Sequence, residues 1–329
     1  MNLVVVGTSW ISEKFISGAI ETRQIRFLGT VSRSAEKAET MNLKFGGERT
    51  YLSLDEACND VDVDIIYIAS PNSLHYFYAK KALLSGKHVI SEKPIVSNTG
   101  EIDDLIEISK TSKGMLFEAI MTLHLPGLEI IRQHLSMLGP IKIISSEFNQ
   151  YSSKYPAYLE GKNPNVFSPE FSGGALYDLG VYNVYFFVSL FDVAPSVHYI
   201  CNKGGNGIDL SGVLTMQYPD KVAVAVIGKD NPGDNRTLIQ GEKGYIKITG
   251  SVSTLTAIEI FTDGQRFEFF VPNYPNTMRH EAEAIFSCIF RNDREQNMEW
   301  LMLAKKVAMV METARKDAGI TFAADHDHD

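Results

Sequence analysis

Two side chains that can move protons, Asp178 and Tyr182, lie four residues apart in a segment with a helical pattern, so they are expected on one helix face. A tyrosine hydroxyl can give a proton to an oxygen anion, although its reference pKa is about 10. A nearby ammonium group favours the phenolate and lowers that pKa, and Lys93 is the candidate for this role. Pro94 restricts the loop that carries Lys93. Asp178 could orient Lys93 or bind a hydroxyl group.

A structural explanation of the same residues stays open at this point. Tyr182 has the aromatic neighbours Tyr177, Tyr185 and Phe186, and it can be one more ring of a core. Asp178 can be a charge in the first turn of a helix, where the helix dipole favours an anion. Taken alone, these residues favour the structural explanation, so the choice depends on the elements around them.

The first third of the chain alternates strands and helices, with predicted strands at Leu3–Val6, Ile25–Val31, Asp64–Ala69, Val89–Ile90 and Met115–Ile120. Such alternation predicts parallel strands with right-handed crossovers, which form a doubly wound α/β sheet. Ligands of such sheets bind beyond the carboxyl ends of the strands. Four turns at those ends are therefore expected around one crevice: Gly7, Ser32-Arg33, Ser70-Pro71-Asn72 and Glu92-Lys93-Pro94.

After about residue 122 the pattern changes to strands in series. Residues Ser196–Val271 read almost entirely as strands, after a predicted helix at about Gly174–Leu190. Strands in series predict an α+β domain with a large, mostly antiparallel open sheet. We therefore expect two domains, residues 1–122 and residues 123–329.

The turn after the first strand is a candidate phosphate-binding loop. The usual G-x-G-x-x-G dinucleotide fingerprint is reduced here to a single glycine, and Ser9 and Ser12 are the small residues at the other two glycine positions. A helix that starts there would still point backbone N–H groups at a phosphate. A plain turn is an equally open explanation. The predicted contacts to a dinucleotide in this loop are Gly7, Thr8, Ser9, Trp10 and Ile11.

The turn after the second strand bears on the type of dinucleotide. Sites that prefer NAD carry an acidic residue there, whereas an arginine suits the 2′-phosphate of NADP. This chain has Ser32, Arg33 and Ser34, which favours NADP, with NAD as the second possibility. The alternative is a solvated turn in which a serine caps the next helix.

Two longer motifs carry a family resemblance. The segment Ser91–Pro94 contains Glu-Lys-Pro after a strand, and the segment Ser172–Tyr182 reads Ser-Gly-Gly-Ala-Leu-Tyr-Asp-Leu-Gly-Val-Tyr. With Pro71–His75 upstream and Gly241–Gly244 downstream, the chain resembles the glucose–fructose oxidoreductase, inositol dehydrogenase and MocA (Gfo/Idh/MocA) family over nearly its whole length. Tyr182 stands where many members have histidine, as in the branch similar to dihydrodiol dehydrogenase.

The resemblance implies an N-terminal Rossmann domain, a C-terminal domain for substrate binding and oligomerisation, and an active site in the interdomain cleft. It implies hydride transfer between a nicotinamide cofactor and a sugar, polyol, cyclic diol or ketone. Lys93, Asp178 and Tyr182 are then the catalytic candidates, and no metal is required. Further cofactor contacts are expected at Ala69, Ser70, Pro71, Asn72, His75, Glu92, Lys93 and Pro94, and substrate contacts at His124, Tyr155 and Tyr182.

Two other functions are compatible with the same fold. Relatives of this fold include glycosidases that use bound NAD for transient oxidation, and release of free reduced cofactor would separate the two activities. A non-catalytic dinucleotide sensor could dispense with Lys93 and Tyr182, so their presence argues against it.

Composition limits the partners. A net charge of −9 without a basic cluster argues against nucleic acid, and no stretch approaches the roughly 18 apolar residues of a membrane span. Because the chain starts without a visible signal peptide and its three cysteines are dispersed, a cytoplasmic protein is expected. A homodimer or higher homo-oligomer through the C-terminal sheet is also expected. The acidic and histidine-containing end, Asp325–Asp329, is interpreted as a disordered tail.

Overall fold

The chain folds as two compact units in this computed structural model, which describes residues 1–326. Unit 1 contains Met1–Ile120 and Tyr274–Lys305, and unit 2 contains Met121–Asn273 and the described residues from Lys306 onward. The expected division into 1–122 and 123–329 therefore needs correction at residues 274–305, which pack with the N-terminal part of the chain.

Unit 1 is built on a fully parallel six-stranded sheet. Its strand order is β3-β2-β1-β4-β5-β6, so the order reverses between β1 and β4. This is the doubly wound arrangement, in which the crevice at the reversal point is the usual ligand site. The strands are β1 Asn2–Val6, β2 Arg26–Val31, β3 Arg49–Tyr51, β4 Ile65–Ile68, β5 His88–Glu92 and β6 Leu116–Ala119.

Apolar strands and capped helices explain why this sequence forms the sheet. The side chains of β1 and β4 are almost completely buried between two helical layers. Ser34, Ser53 and Asn98 cap three of the helices by accepting a bond from a first-turn N–H group, which satisfies a donor that the helix leaves unpaired. The helices are α1 Trp10–Glu21, α2 Ala35–Phe45, α3 Leu54–Asn59, α4 His75–Leu84 and α5 Thr99–Thr111. The short elements β3 and α3 were not predicted.

Unit 2 contains an eight-stranded sheet of order β14-β13-β12-β11-β7-β10-β9-β8. All neighbouring pairs are antiparallel except β7 and β10, which confirms the mostly antiparallel α+β prediction. The strands are β7 Ile141–Asn149, β8 Ser196–Lys203, β9 Asp209–Gln217, β10 Val222–Gly228, β11 Arg236–Gly241, β12 Gly244–Thr249, β13 Ala257–Thr262 and β14 Gln265–Phe270.

The helices of unit 2 include one strongly apolar run. By length and composition the run Pro169–Phe191 could cross a membrane, which corrects the expectation that no such stretch exists. In the fold, 72% of its most apolar window is buried inside the protein, as in a core helix. The helices are α6 Met121–His124, α7 Pro126–His134, α8 Tyr155–Leu159 and α9 Val181–Phe191.

Two C-terminal helices follow, α10 Met278–Phe290 and α11 Arg294–Asp317. Helix α10 packs on α1 in unit 1, where the rings of Phe15 and Phe286 meet edge to face at 6.5 Å. Gly18 makes this approach possible, because a Cβ at that position would lie 3.0 Å from the backbone nitrogen of Arg279. These contacts explain why residues 274–305 belong to unit 1.

The last described residues are anchored, which corrects the disordered-tail expectation for Asp325. Its two carboxylate oxygens accept bonds of 2.7 and 2.6 Å from the guanidinium of Arg315, whose side chain is 1% exposed. Phe322 stacks on that guanidinium and meets the ring of Tyr177 edge to face at 4.8 Å. The remaining residues of the predicted tail, Asp327, His328 and Asp329, lie outside the described residues.

Candidate active site

The turn after β1 is shaped for a close backbone approach. Gly7 has φ +105°, and a Cβ there would lie 2.7 Å from the carbonyl oxygen of Ala69, the residue that follows β4. Only glycine fits both conditions. Ser9 is the N-cap of α1 but makes no side-chain cap bond, and its hydroxyl lies 3.3 Å from that of Ser12 instead. Ser9 thus leaves the N–H groups at the start of α1 to another acceptor, which fits a pyrophosphate.

The exposure of the glycine-turn residues follows from this geometry. Gly7, Thr8 and Ile11 are partly exposed, and Ser9 and Trp10 are exposed. Trp10 is 72% exposed, so its indole takes no part in the core.

The turn after β2 contains an exposed Arg33 between two serines with structural bonds. Ser34 accepts a 3.4 Å bond from the N–H of Lys37 as the N-cap of α2, which is the role that the alternative explanation assigned to a serine here. The hydroxyl of Ser32 accepts a 3.2 Å bond from the N–H of Ser34. These bonds use the serine oxygens as acceptors, so each hydroxyl proton can still be donated to a ligand.

The Glu92-Lys93-Pro94 segment is held by a buried carboxylate. Glu92 is buried at the end of β5, where one carboxylate oxygen accepts from the hydroxyl of Tyr67 and the other accepts a 3.2 Å bond from the N–H of Lys93. Lys93 itself is partly exposed at the carboxyl edge of the sheet. The segment therefore presents an ammonium side chain beside the crevice predicted from the strand order.

His75 joins two of the predicted cofactor loops. Its Nδ1 lies 2.8 Å from the carbonyl oxygen of Pro94, and its Nε2 lies 2.9 Å from that of Ser70. Burial lowers the pKa of His75, and the two carbonyl contacts oppose that shift. Because both ring nitrogens face main-chain oxygens, His75 is placed to position Ser70 and Pro94. A direct contact of His75 with the cofactor stays a prediction. Ala69, Pro71 and Asn72 are partly exposed in the same loop region.

In unit 2, Asp178 and Tyr182 stand out by their exposure. Every residue from Ser172 to Val188 is buried except these two, which are partly exposed. Tyr177, Tyr185 and Phe186 are core rings, whereas the ring of Tyr182 packs against Phe148 at a centroid distance of 5.6 Å. The exposure separates Tyr182 from the core aromatics that suggested a structural role.

The predicted single helix over Gly174–Leu190 is in fact a π-helical turn, Leu176–Gly180, followed by α9. Its start is held by the buried carboxylate of Asp209, which accepts a 2.6 Å bond from the N–H of Leu176. Gly174 has φ +102°, and a Cβ there would collide with Asp209. The spacing argument for Asp178 and Tyr182 assumed α-helical geometry, so it does not hold unchanged through a π-turn, a feature frequent at functional sites.

Sequence reasoning missed Lys229, which binds Asp178. The Nζ of Lys229 donates a 2.5 Å bond to Oδ2 of Asp178, and the Lys229 side chain is only 2% exposed. The available signal was its position, because Lys229 directly follows the apolar strand β10. Nothing in the sequence alone connects it with Asp178, 51 residues away.

The two substrate candidates of unit 2 lie in different surroundings. Tyr155 belongs to an aromatic cluster in which its ring lies 5.7 Å from that of Phe167, and Phe167 in turn lies under Nζ of Lys229 at 4.7 Å. The cluster is thereby connected to Asp178. His124 is partly exposed at the end of α6. An open cavity of about 490 Å³ beside the cluster is lined by Tyr158, not by Tyr155.

Comparison with protein families gives two matches along the chain. Residues 1–120 match the model of the GFO_IDH_MocA oxidoreductase family, NAD-binding Rossmann fold. Residues 134–247 match the model of the GFO/IDH/MocA C-terminal domain.

Two curated relatives and one solved structure illustrate the similarity. The chain is 32% identical to the scyllo-inositol 2-dehydrogenase (NADP(+)) IolU of Bacillus subtilis (strain 168), over 99% of both chains. It is 29% identical to trans-1,2-dihydrobenzene-1,2-diol dehydrogenase of Xenopus tropicalis, over 88% of this chain and 89% of that one. A levoglucosan dehydrogenase in complex with NADH and levoglucosan has the same fold, with a TM-score of 0.85, 16% identity and 97% coverage of both chains.

Proposed function

Because the chain belongs to the Gfo/Idh/MocA family of oxidoreductases, we propose that it is an NADP-preferring dehydrogenase or reductase of a polyol, sugar or cyclic diol. The observation that carries the site assignment is the partial exposure of Asp178 and Tyr182 within a buried segment. The substrate class is supported by the relatives, whose names specify an inositol and a dihydrobenzenediol.

The cofactor, when bound, supplies or accepts the hydride at the carbon that carries the reacting oxygen. Tyr182 transfers the matching proton: its hydroxyl protonates the developing alkoxide in reduction, and its phenolate takes the alcohol proton in oxidation. Lys93 assists by favouring the phenolate through its positive charge. Asp178 binds a substrate hydroxyl as an acceptor. Gly7 and the start of α1 would hold the cofactor, because their backbone geometry fits it. The partly exposed Ser70–Asn72 loop would add further contacts.

Replacing Tyr182 by phenylalanine tests the proposal. Tyr182→Phe should bind NADP normally but lose about 10²–10⁴-fold in kcat, because it removes the group that transfers the proton. Activity is measured by absorbance of the reduced nicotinamide, on a panel of inositols, aldoses and cyclic diols with NADP and with NAD.

Tyr185→Phe is the matched control, since Tyr185 is a buried ring of the same helix and should keep wild-type kcat. A deuterium isotope effect first identifies a substrate whose hydride transfer is rate-limiting. On that substrate, near-wild-type kcat for Tyr182→Phe would return Tyr182 to a structural role. A wild-type protein that releases no reduced cofactor with any member of the panel would reject the dehydrogenase itself.

The cytoplasmic location and the homo-oligomer stay predictions. Exposed apolar side chains lie in adjacent pairs on one face of the sheet, Ile143 beside Val222 and Val213 beside Val226. Contact with a second copy of the chain through this face would cover them. Light scattering of the purified protein measures the assembled mass, and a monomer at micromolar concentration would contradict the oligomer.

A further inference from the structure

A buried lysine and the aspartate of the proposed site form an ion pair inside unit 2. The ammonium of Lys229 donates to Oδ2 of Asp178 at 2.5 Å and to the carbonyl oxygen of Val166 at 3.2 Å, and it lies over the ring of Phe167 at 4.7 Å. The lysine side chain is 2% exposed, whereas that of Asp178 is 30% exposed. The lysine of the pair is therefore shielded from solvent, whereas the aspartate is accessible to it.

The main chain fixes where the ammonium can be. The N–H of Lys229 donates to the carbonyl oxygen of Leu210 at 2.8 Å, and its own carbonyl oxygen accepts from Ser152 at 2.9 Å. Lys229 is therefore pinned at the end of β10, next to β9. A lysine in this position loses little further side-chain freedom on pairing, because burial has already restricted it.

The π-turn that carries Asp178 is held at two points by the same pair of strands. Asp209, at the start of β9, binds the N–H of Leu176 at the beginning of the turn, and Lys229, just after β10, binds the carboxylate of Asp178. Burial raises the pKa of Asp209, and the N–H of Leu176 and the hydroxyl of Tyr199 oppose that shift by donating to it. The turn is thus anchored to the strands at both of these points.

We propose that Lys229 is a positioning residue that holds the Asp178 carboxylate ionised and aimed at a substrate hydroxyl. An ammonium removed from water must be paired, and the paired carboxylate keeps its charge because the opposite charge favours the ionised form. Lys229 thus supplies Asp178 with a cation from unit 2 itself. Of the two roles considered for Asp178, the inference develops the binding of a substrate hydroxyl.

The consequence for specificity is a requirement for a hydroxyl donor on the substrate. An ionised carboxylate can only accept hydrogen bonds, so it binds a polyol that donates a hydroxyl proton at this point. An analogue with hydrogen in place of that hydroxyl leaves the carboxylate without a donor from the substrate, and it is therefore bound less well. This inference rests on the proposed function, because it assumes that Asp178 faces the substrate.

Lys229→Met, which keeps an unbranched side chain only one atom shorter and removes its charge, is the test. On the polyol that wild type turns over best, KM should rise at least about tenfold, which corresponds to a lost charge-assisted hydrogen bond. In the pH profile of kcat/KM, the pH at which the value falls on the acid side (the acid limb) should rise by about one unit or more. The reason is that the carboxylate loses the neighbouring cation. The Kd for NADP, measured by protein fluorescence, should stay unchanged, and Lys229→Arg should bring the acid limb back towards its wild-type position.

The outcomes separate the inference from the proposed function. Wild-type protein without activity on the panel would reject the proposed function. If the wild-type protein is active, a folded Lys229→Met protein with the wild-type KM and the wild-type acid limb would overturn the positioning role. This holds even if the melting temperature of the variant is lower. If Lys229→Met does not fold, Lys229→Met/Asp178→Asn removes both charges. It should be folded, bind NADP and have the raised KM, and a wild-type KM in this double variant would overturn the inference in the same way.

Discussion

At the scale of single residues, the exposed arginine after β2 is the residue that we propose to set the cofactor preference. Arg33 has no carboxylate beside it in the Ser32–Ser34 turn, and the two flanking serine hydroxyls can donate. A 2′-phosphate offers acceptor oxygens that match a guanidinium, whereas the 2′-hydroxyl of NAD offers no charge to pair with.

Arg33→Ala should therefore weaken NADP binding far more than NAD binding. A lost charge-assisted bond costs about 1.5–3 kcal/mol, which is roughly a tenfold to hundredfold rise in Kd for NADP. Calorimetric titration with both cofactors measures this, and Lys110→Ala, an exposed cation on α5, serves as the control. Equal affinity of wild type for NADP and NAD would contradict the assignment.

At the scale of elements, Asp209 explains why a glycine precedes the π-turn at position 174. The carboxylate of Asp209 can reach the N–H of Leu176 only because no Cβ stands at Gly174, where φ is +102°. The turn that carries Asp178 thus depends on the contact with Asp209, and that contact depends on the glycine at position 174.

Gly174→Ala should destabilise the protein by more than about 1 kcal/mol, since alanine at positive φ is strained and its methyl group would displace Asp209. Because the π-turn moves with Asp209, activity should fall as well. Urea unfolding and kcat/KM are the measurements. Gly205→Ala is the matched control in the same unit, because that glycine has open space around its Cβ position. An alanine variant at position 174 with wild-type stability would show that the turn does not depend on this contact.

How far the sequence predicts the elements depends on whether their causes are local. The parallel sheet was predictable from apolar runs that end in turns, and the edge that collects Gly7, Ser70 and Lys93 followed from strand direction. The π-turn was not, because its cause, Asp209, lies 33 residues further along the chain from Leu176. The pairing of Asp178 with Lys229 is likewise a long-range contact that no spacing rule reports.

At the scale of the whole molecule, a buried glutamate makes stability depend on pH. Glu281 of α10 is completely buried, and neither of its carboxylate oxygens has a hydrogen-bond partner among the described residues. Burial raises the pKa of Glu281 well above its ordinary value, Glu92 adds to this, and Lys14 opposes it. The folded protein therefore keeps a proton that the unfolded chain releases.

Because the folded state binds the extra proton, the free energy of unfolding should fall as pH rises above the ordinary glutamate value, until the buried group itself ionises. Each unit of pKa difference corresponds to about 1.4 kcal/mol. Glu281→Gln should flatten this dependence and be more stable than wild type at pH 8. Urea unfolding between pH 5 and pH 8.5 measures the free energy of unfolding at each pH. Glu39→Gln, at an exposed helical position, is the control. Parallel wild-type and Glu281→Gln curves would rule the effect out.

The packing of α10 on α1 has a consequence for synthesis on the ribosome. The strands of unit 1 are complete at Ala119, yet the helix that covers Phe15 and Gly18 ends at Phe290, roughly 170 residues later. At about 5–20 residues per second, the nascent chain must carry this uncovered apolar surface for roughly ten to thirty seconds. During that interval the side of α1 that α10 covers stays open to solvent, and unit 1 reaches its final packing only after α10 has emerged.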